Sequence, residues 1–150
     1  MGAIIRERFE LSVYEQALQG TGLLTALDAA SPESPVTVFA PSNAAFIRYA
    51  ASSPAFWITD ASGRAVNPGV PGLPDVLKYG FVRGRQTAAS LSALGSPLSS
   101  VQGSPLFTDF YRGVYFNYLY VNGCRARVTD IVATNGIVHI LECVPTPPSV

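Results

Sequence analysis

Residues 128 to 144 read VTDIVATNGIVHILECV, two strand-like runs folded about a turn. The first run is β-branched and holds the charged-aliphatic pair Asp130-Ile131. In Ala133-Thr134-Asn135-Gly136 the Asn-Gly pair predicts a tight hairpin turn, because these residues adopt positive φ angles at little cost. The second run, Ile137-Val138-His139-Ile140-Leu141, is apolar on both faces apart from one imidazole. That pattern predicts a strand buried between two layers rather than one lying on a surface. A histidine in such a strand needs a hydrogen-bond partner.

Working outward, the same turn chemistry recurs at Asn122-Gly123, just after the aromatic run VYFNYLYV (residues 114 to 121). From Leu106 to Val144 the pattern is therefore a meander of three or four strands. Earlier in the chain, Val36-Thr37-Val38-Phe39 is a short strand stopped by Pro41, and Ser42 or Asn43 is placed to cap a helix through Phe46. Ser12-Val13-Tyr14-Glu15 has the form of a capping box, so a helix is expected to start there and to end at Gly20. A second short helix follows Thr21-Gly22. Leu73 to Tyr79 reads as a helix with proline in its first turn, closed by Gly80. Ser52 to Pro74 is too rich in proline, glycine and serine for long elements, and it contains the sole tryptophan, Trp57.

The chain has 150 residues, enough for one domain with a core of its own, which we assign to residues 1–144, with a proline-rich tail or linker at 145–150. Apolar residues make up 48% and charged residues 13%, about half the usual charged share of roughly 25%. Ten basic and ten acidic side chains cancel, which excludes the basic footprint of a nucleic-acid binder. Residues 1–75 carry four arginines against seven carboxylates and residues 76–150 six basic groups against three, so the halves have opposite sign. No run approaches the roughly 20 apolar residues of a membrane helix.

Chemistry-bearing motifs are absent. A triad could be built only on His139, and no G-x-S-x-G elbow accompanies it. One histidine and two cysteines 19 positions apart lack metal-ligand spacing. Neither phosphate-cradling glycine motif occurs, and the carboxylates are scattered singly. The reading is a non-enzyme without metal or cofactor. For Cys124 and Cys143, a simple hairpin about Asn135-Gly136 sets Cys143 opposite Val128. Cys124 would then lie about 13 Å along the strand, beyond disulfide reach. A bulge near Asp130 would change that register, so bonding stays open; two buried free thiols are the expectation.

Two blocks taken together carry a family resemblance. Thr37-Val38-Phe39-Ala40-Pro41-Ser42-Asn43-Ala44-Ala45-Phe46 resembles the first signature of fasciclin-like domains, and Asn135-Gly136-Ile137-Val138-His139-Ile140-Leu141 the second. The resemblance implies an α+β wedge: two small sheets forming a β-sandwich, with several helices packed on one side. It also implies that the two signature strands lie near each other in the core. Thr37, Asn43, Asn135 and His139 then have structural roles, His139 bonding to a backbone or hydroxyl group near Thr37 or Asn43.

The resemblance further implies an extracellular adhesion module, secreted or attached to a cell surface or wall. As an isolated domain it is expected to be a monomer that binds a receptor, a matrix component or another such domain. Family partner-binding motifs map onto Asp130-Ile131 and onto Tyr79, although Gly80 stands where the second motif has histidine. A turn aspartate beside a core isoleucine is the favoured explanation of Asp130 and Ile131, since family motifs often encode fold rather than contact. An alternative reading is a carrier of an apolar small molecule such as a carotenoid or lipid, since some fasciclin-like proteins resemble carotenoid binders. Trp57, Tyr115, Phe116, Tyr118 and Tyr120 would line its groove.

Overall fold

The protein is described by a computed structural model covering residues 2–31, 33–52, 73–92, 97–112, 114 and 117–145. In chain order the elements are α1 (Gly2–Glu7), a 3-10 turn (Phe9–Leu11), α2 (Ser12–Thr21), α3 (Leu23–Ala29), β1 (Val36–Pro41), α4 (Asn43–Ser52), α5 (Leu73–Tyr79), β2 (Phe81–Arg83), α6 (Ala88–Ser92), β3 (Leu98–Ser99), β4 (Pro105–Leu106), β5 (Thr108–Arg112), β6 (Asn117–Val121), β7 (Cys124–Ala133) and β8 (Gly136–Leu141). β1 and β8 pair in parallel, from Val36 opposite Gly136 to Pro41 opposite Leu141. They form the middle of a mixed sheet ordered β2-β1-β8-β7-β6-β5, and β3 and β4 form a second, two-stranded sheet.

β8 is buried along its whole length, as its two-faced apolar pattern predicts. The reason is visible in the two cores. Val38, Ala40, Val138 and Ile140 face Leu11, Tyr14, Leu18, Leu27 and Phe46 from the helices. Phe39 and Leu141 face the other way, onto Tyr79, Leu106, Leu119 and Val121. Helices therefore cover one side of the central strands, and the meander and small sheet cover the other, giving an α+β sandwich. The two halves of the sheet share β7. Cys124 and Arg125 pair with β6, while Ala126 to Ala133 pair with β8.

Three local expectations are corrected. First, the hairpin between β7 and β8 closes Ala133 on Gly136, but neither Asn135 nor Gly136 has a positive φ. Asn135 is drawn inward instead, and its Nδ2 donates to the carbonyls of Leu27 (2.9 Å) and Ala30 (3.1 Å) at the end of α3. The Asn122-Gly123 turn does use positive angles, φ +51° and +77°. Second, the capping box does not form. Leu11 is the residue before α2, and no side chain of that segment caps it. Asn43 supplies the cap from 30 residues away, its Oδ1 accepting from Val13 N–H at 2.9 Å. Its Nδ2 donates to Phe9 O and to Ser12 Oγ, both at 3.0 Å.

Third, Cys124 and Cys143 are not free thiols. They form a disulfide with their Cα atoms 5.3 Å apart. β7 contains two register shifts, between Ala126 and Val128 and between Val128 and Ile131. The turn also falls one residue earlier than expected, on Thr134-Asn135; this and the extra residues together move Val128 opposite Ile140 and bring Glu142 N–H onto Arg125 O at 2.9 Å, which sets the cysteines side by side.

Candidate functional site

The sole histidine sits at the junction of the signature strands and is fully buried. Phe39 lies directly opposite it on β1, the two rings stacked with centroids 5.6 Å apart. Its Nε2 is 2.7 Å from Gln86 O, and its Nδ1 is 3.1 Å from the Asp130 backbone nitrogen. A carbonyl can only accept and an amide N–H can only donate. The ring is therefore the neutral tautomer, protonated at Nε2 and bare at Nδ1. Burial holds its pKa below the ordinary histidine value, outweighing the Gln86 bond and the Asp130 charge that raise it. Of the two expected neighbourhoods, the backbone group beside Thr37 is the one used, and Asn43 plays no part here. Thr37 does contribute, through Gln86: its hydroxyl accepts from Gln86 N–H at 2.8 Å and donates to Gly84 O at 2.6 Å.

Asp130 lies in the bulged part of β7 with φ +59°, a conformation that aspartate tolerates better than most residues. Its Oδ1 accepts from Ala88 N–H at 2.9 Å, the first amide of α6. Ile131 is half-buried against the helix-side core, and the next residue, Val132, is 67% exposed. Tyr79 offers a partner nothing. It is buried, its hydroxyl donates to Pro105 O at 2.6 Å, and it accepts from Asn122 Nδ2 at 2.5 Å. Its expected role as a contact residue is thereby corrected: a ring with no surface holds the turn between β6 and β7 to β4. The Gly80 position is also committed, because a Cβ there would stand 2.9 Å from Phe39 O.

On the outer side of β5 and β6 the picture reverses. Leu119 and Val121 point into the core, which turns Tyr118 and Tyr120 outward. On β5, Asp109 pairs with Tyr120 and Tyr111 with Tyr118. Tyr111 is 58% exposed, and its ring meets Tyr120 edge-on at 5.3 Å and 89°. The Arg125 guanidinium lies 4.6 Å above the Tyr118 ring and 3.9 Å from Glu142 Oε1. Asp109, Tyr111, Tyr120 and Gly123 line an open depression of about 410 Å³. Trp57, Tyr115 and Phe116, the other aromatics expected to line a groove, lie outside the described residues. Among the described residues no three His, Cys, Asp or Glu side chains gather as a metal site.

The Fasciclin domain model matches residues 9–147. The chain belongs to the fasciclin domain family. It is 33% identical over 140 residues to the uncharacterized protein sll1735 of Synechocystis sp. (strain ATCC 27184 / PCC 6803 / Kazusa), spanning 93% of this chain and 90% of that one. Protein sll1483 of the same organism is 30% identical over 122 residues, which is 81% of this chain and 61% of that protein. Among solved structures, a FAS1 domain pair from the insect cell adhesion molecule fasciclin I matches with TM-score 0.66 and 19% identity, over 91% of this chain and 44% of that one.

Fasciclin domains are, as a class, adhesion or interaction modules, typically of extracellular or cell-surface proteins. In this fasciclin domain the His139 clasp unites four residues that the sequence pattern names separately or not at all: Thr37, Gln86, Asp130 and His139. Gln86 escapes a reading of the sequence because it acts through its backbone, which side-chain type does not reveal. Asp109, Tyr111 and Arg125 escape it too. Their signal is the alternation of Thr108–Arg112 and Cys124–Ala133, which sets them on one face with Tyr118 and Tyr120. No helix among the described residues is long and apolar enough to cross a membrane.

Proposed function

We propose that this fasciclin domain is a monomeric binding module that engages a partner outside the cell through the outer face of β5, β6 and the start of β7. The partner is a cell-surface receptor, a matrix component or a second fasciclin domain. The observation that carries this reading is the ordered aromatic face: Tyr111 is 58% exposed yet packed edge-on against Tyr120, and Tyr118 lies under Arg125. Tyrosine and arginine are enriched at interface cores, and rings already held in place lose little freedom on binding. Binding without catalysis is supported by His139, whose two nitrogens are both committed to backbone groups.

Asp130 and Ile131 are the second contact candidate, and their geometry favours a role in the fold. The carboxylate is engaged by Ala88 and the isoleucine rests on the core. Bead aggregation and binding to receptor- or matrix-coated surfaces separate the two. The double variant Tyr111→Ala/Arg125→Ala is expected to abolish binding while keeping its unfolding midpoint, and Asp130→Asn is expected to bind normally. Loss of binding in Asp130→Asn with full binding by the double variant would move the contact to the bulge. Coloured or lipid-loaded fractions after incubation with carotenoids or fatty acids and gel filtration would favour the carrier reading instead.

A further inference from the structure

We propose that the depression on the outer face is a subsite for pyranose units of a neutral glycan chain; this rests on the reading that the outer face is the binding surface of the domain. Asp109 and Tyr111 are two residues apart on β5, so both project to the same side. Asp109 stands directly opposite Tyr120, and the Tyr111 and Tyr120 rings meet at 89°. The result is a corner with aromatic walls and a carboxylate beside it. Tyrosine ring faces carry negative quadrupolar charge and attract weakly positive C–H groups, which a pyranose presents on its axial faces. Its equatorial hydroxyls need acceptors and donors at the rim. The Asp109 carboxylate supplies acceptors and the tyrosine hydroxyls supply both.

The form of the depression selects among ligands. At about 410 Å³ it has room for sugar rings, but it is open rather than enclosed. An apolar small molecule requires most of its surface to be covered, roughly 70–90%, which an open corner does not give. A sugar keeps its outward hydroxyls in water and tolerates partial cover. Gly123 lines the depression at φ +77°, and no atom lies within 4 Å of where a Cβ would stand, so nothing crowds that part of the lining. Charge argues for a neutral chain. Asp109 adds a negative charge, and the Arg125 guanidinium beside the face is already shared between Glu142 and the Tyr118 ring.

Native affinity electrophoresis of the whole chain tests the assignment, with soluble β-glucan, galactan, mannan or polygalacturonate in the gel. Retardation by at least one neutral polysaccharide is expected. Tyr111→Ala should weaken it about tenfold, the order of an aromatic contact. Asp109→Asn should weaken it less, and both variants should unfold at the wild-type temperature. No retardation by any neutral polysaccharide, retardation by polygalacturonate alone, or retardation unchanged in both variants would each overturn the glycan assignment. If bead or surface binding is lost in Tyr111→Ala while no neutral polysaccharide retards the protein, the outer face stands as a protein-binding surface and the glycan assignment falls. If Tyr111→Ala/Arg125→Ala loses neither kind of binding, the outer-face reading falls with it.

Discussion

Replacing His139 by alanine removes one side chain and strands two backbone groups. Gln86 O loses its 2.7 Å donor and Asp130 N–H its 3.1 Å acceptor. Both bonds are only partly buried, so each orphan takes the low end of the usual penalty, about 1 kcal/mol. Losing the ring stacked on Phe39 adds about 1 kcal/mol more. A total of about 3 kcal/mol lowers the melting temperature of a domain of this size by about 6–12 °C. The same geometry makes stability depend on pH. The unfolded imidazole titrates near 6.5 and the folded one lower, so in acid the unfolded chain binds a proton that the folded chain refuses. The stabilisation is fully present above about pH 6.5 and falls as pH drops toward the folded pKa, with a slope of at most about 1.4 kcal/mol per unit.

The assay is urea unfolding followed by circular dichroism at pH 7, 6 and 5. Because the chain has one histidine, no other imidazole contributes to that window, and ordinary carboxylates titrate near 4. His139→Phe keeps a ring on Phe39 without a titratable group, so its stability should change much less between pH 7 and 5. A wild-type protein of constant stability across that window, or an equal slope in His139→Phe, would refute the tautomer and the clasp built on it.

Other outcomes follow from single contacts and are read by thermal unfolding. Asn43→Ala should cost about 2 kcal/mol, since it removes a helix cap and two further bonds, whereas Ser12→Ala should cost under about 1 kcal/mol because its hydroxyl caps nothing. Reduction of the Cys124–Cys143 bond, or Cys143→Ser, should cost about 3 kcal/mol for a loop of this length; an unfolding midpoint indifferent to reductant would contradict the pairing.

Strand β8 is legible in the sequence because its pattern is local: apolar side chains on both faces admit only a strand with two covered sides. The signature blocks lead to the family fold for the same reason, being short and contiguous. Three things are not legible, and each fails through a partner distant in sequence. The cap of α2 belongs to Asn43, thirty residues on, which displaces the local Ser12–Glu15 pairing. The Asn135 side chain is taken by carbonyls of α3, so its backbone has no need of the left-handed angle. The cysteines meet because the turn falls on Thr134-Asn135 and β7 holds two register shifts, and a period of two cannot reveal where a strand departs from it. On the outer face, alternation separates Tyr118 and Tyr120 from Leu119 and Val121, but it cannot say which pair meets water.

The bulge explains why a motif read for function fits the fold so closely. A residue at φ +59° in β7 is cheapest as glycine, asparagine or aspartate, and of these only the last two carry an oxygen able to accept from Ala88 N–H. The same residue's backbone N–H points at His139 Nδ1, and the other ring nitrogen holds Gln86, two residues before Ala88. Asp130, His139, Gln86 and Ala88 therefore close one circuit of hydrogen bonds between β7, β8 and the start of α6. An aspartate at this point completes that circuit whether or not a partner ever touches it. The outer tyrosines satisfy no such circuit: Tyr111 could be lost without orphaning any buried polar group. A side chain that the fold does not need, held in order at the surface, is the better place to look for recognition.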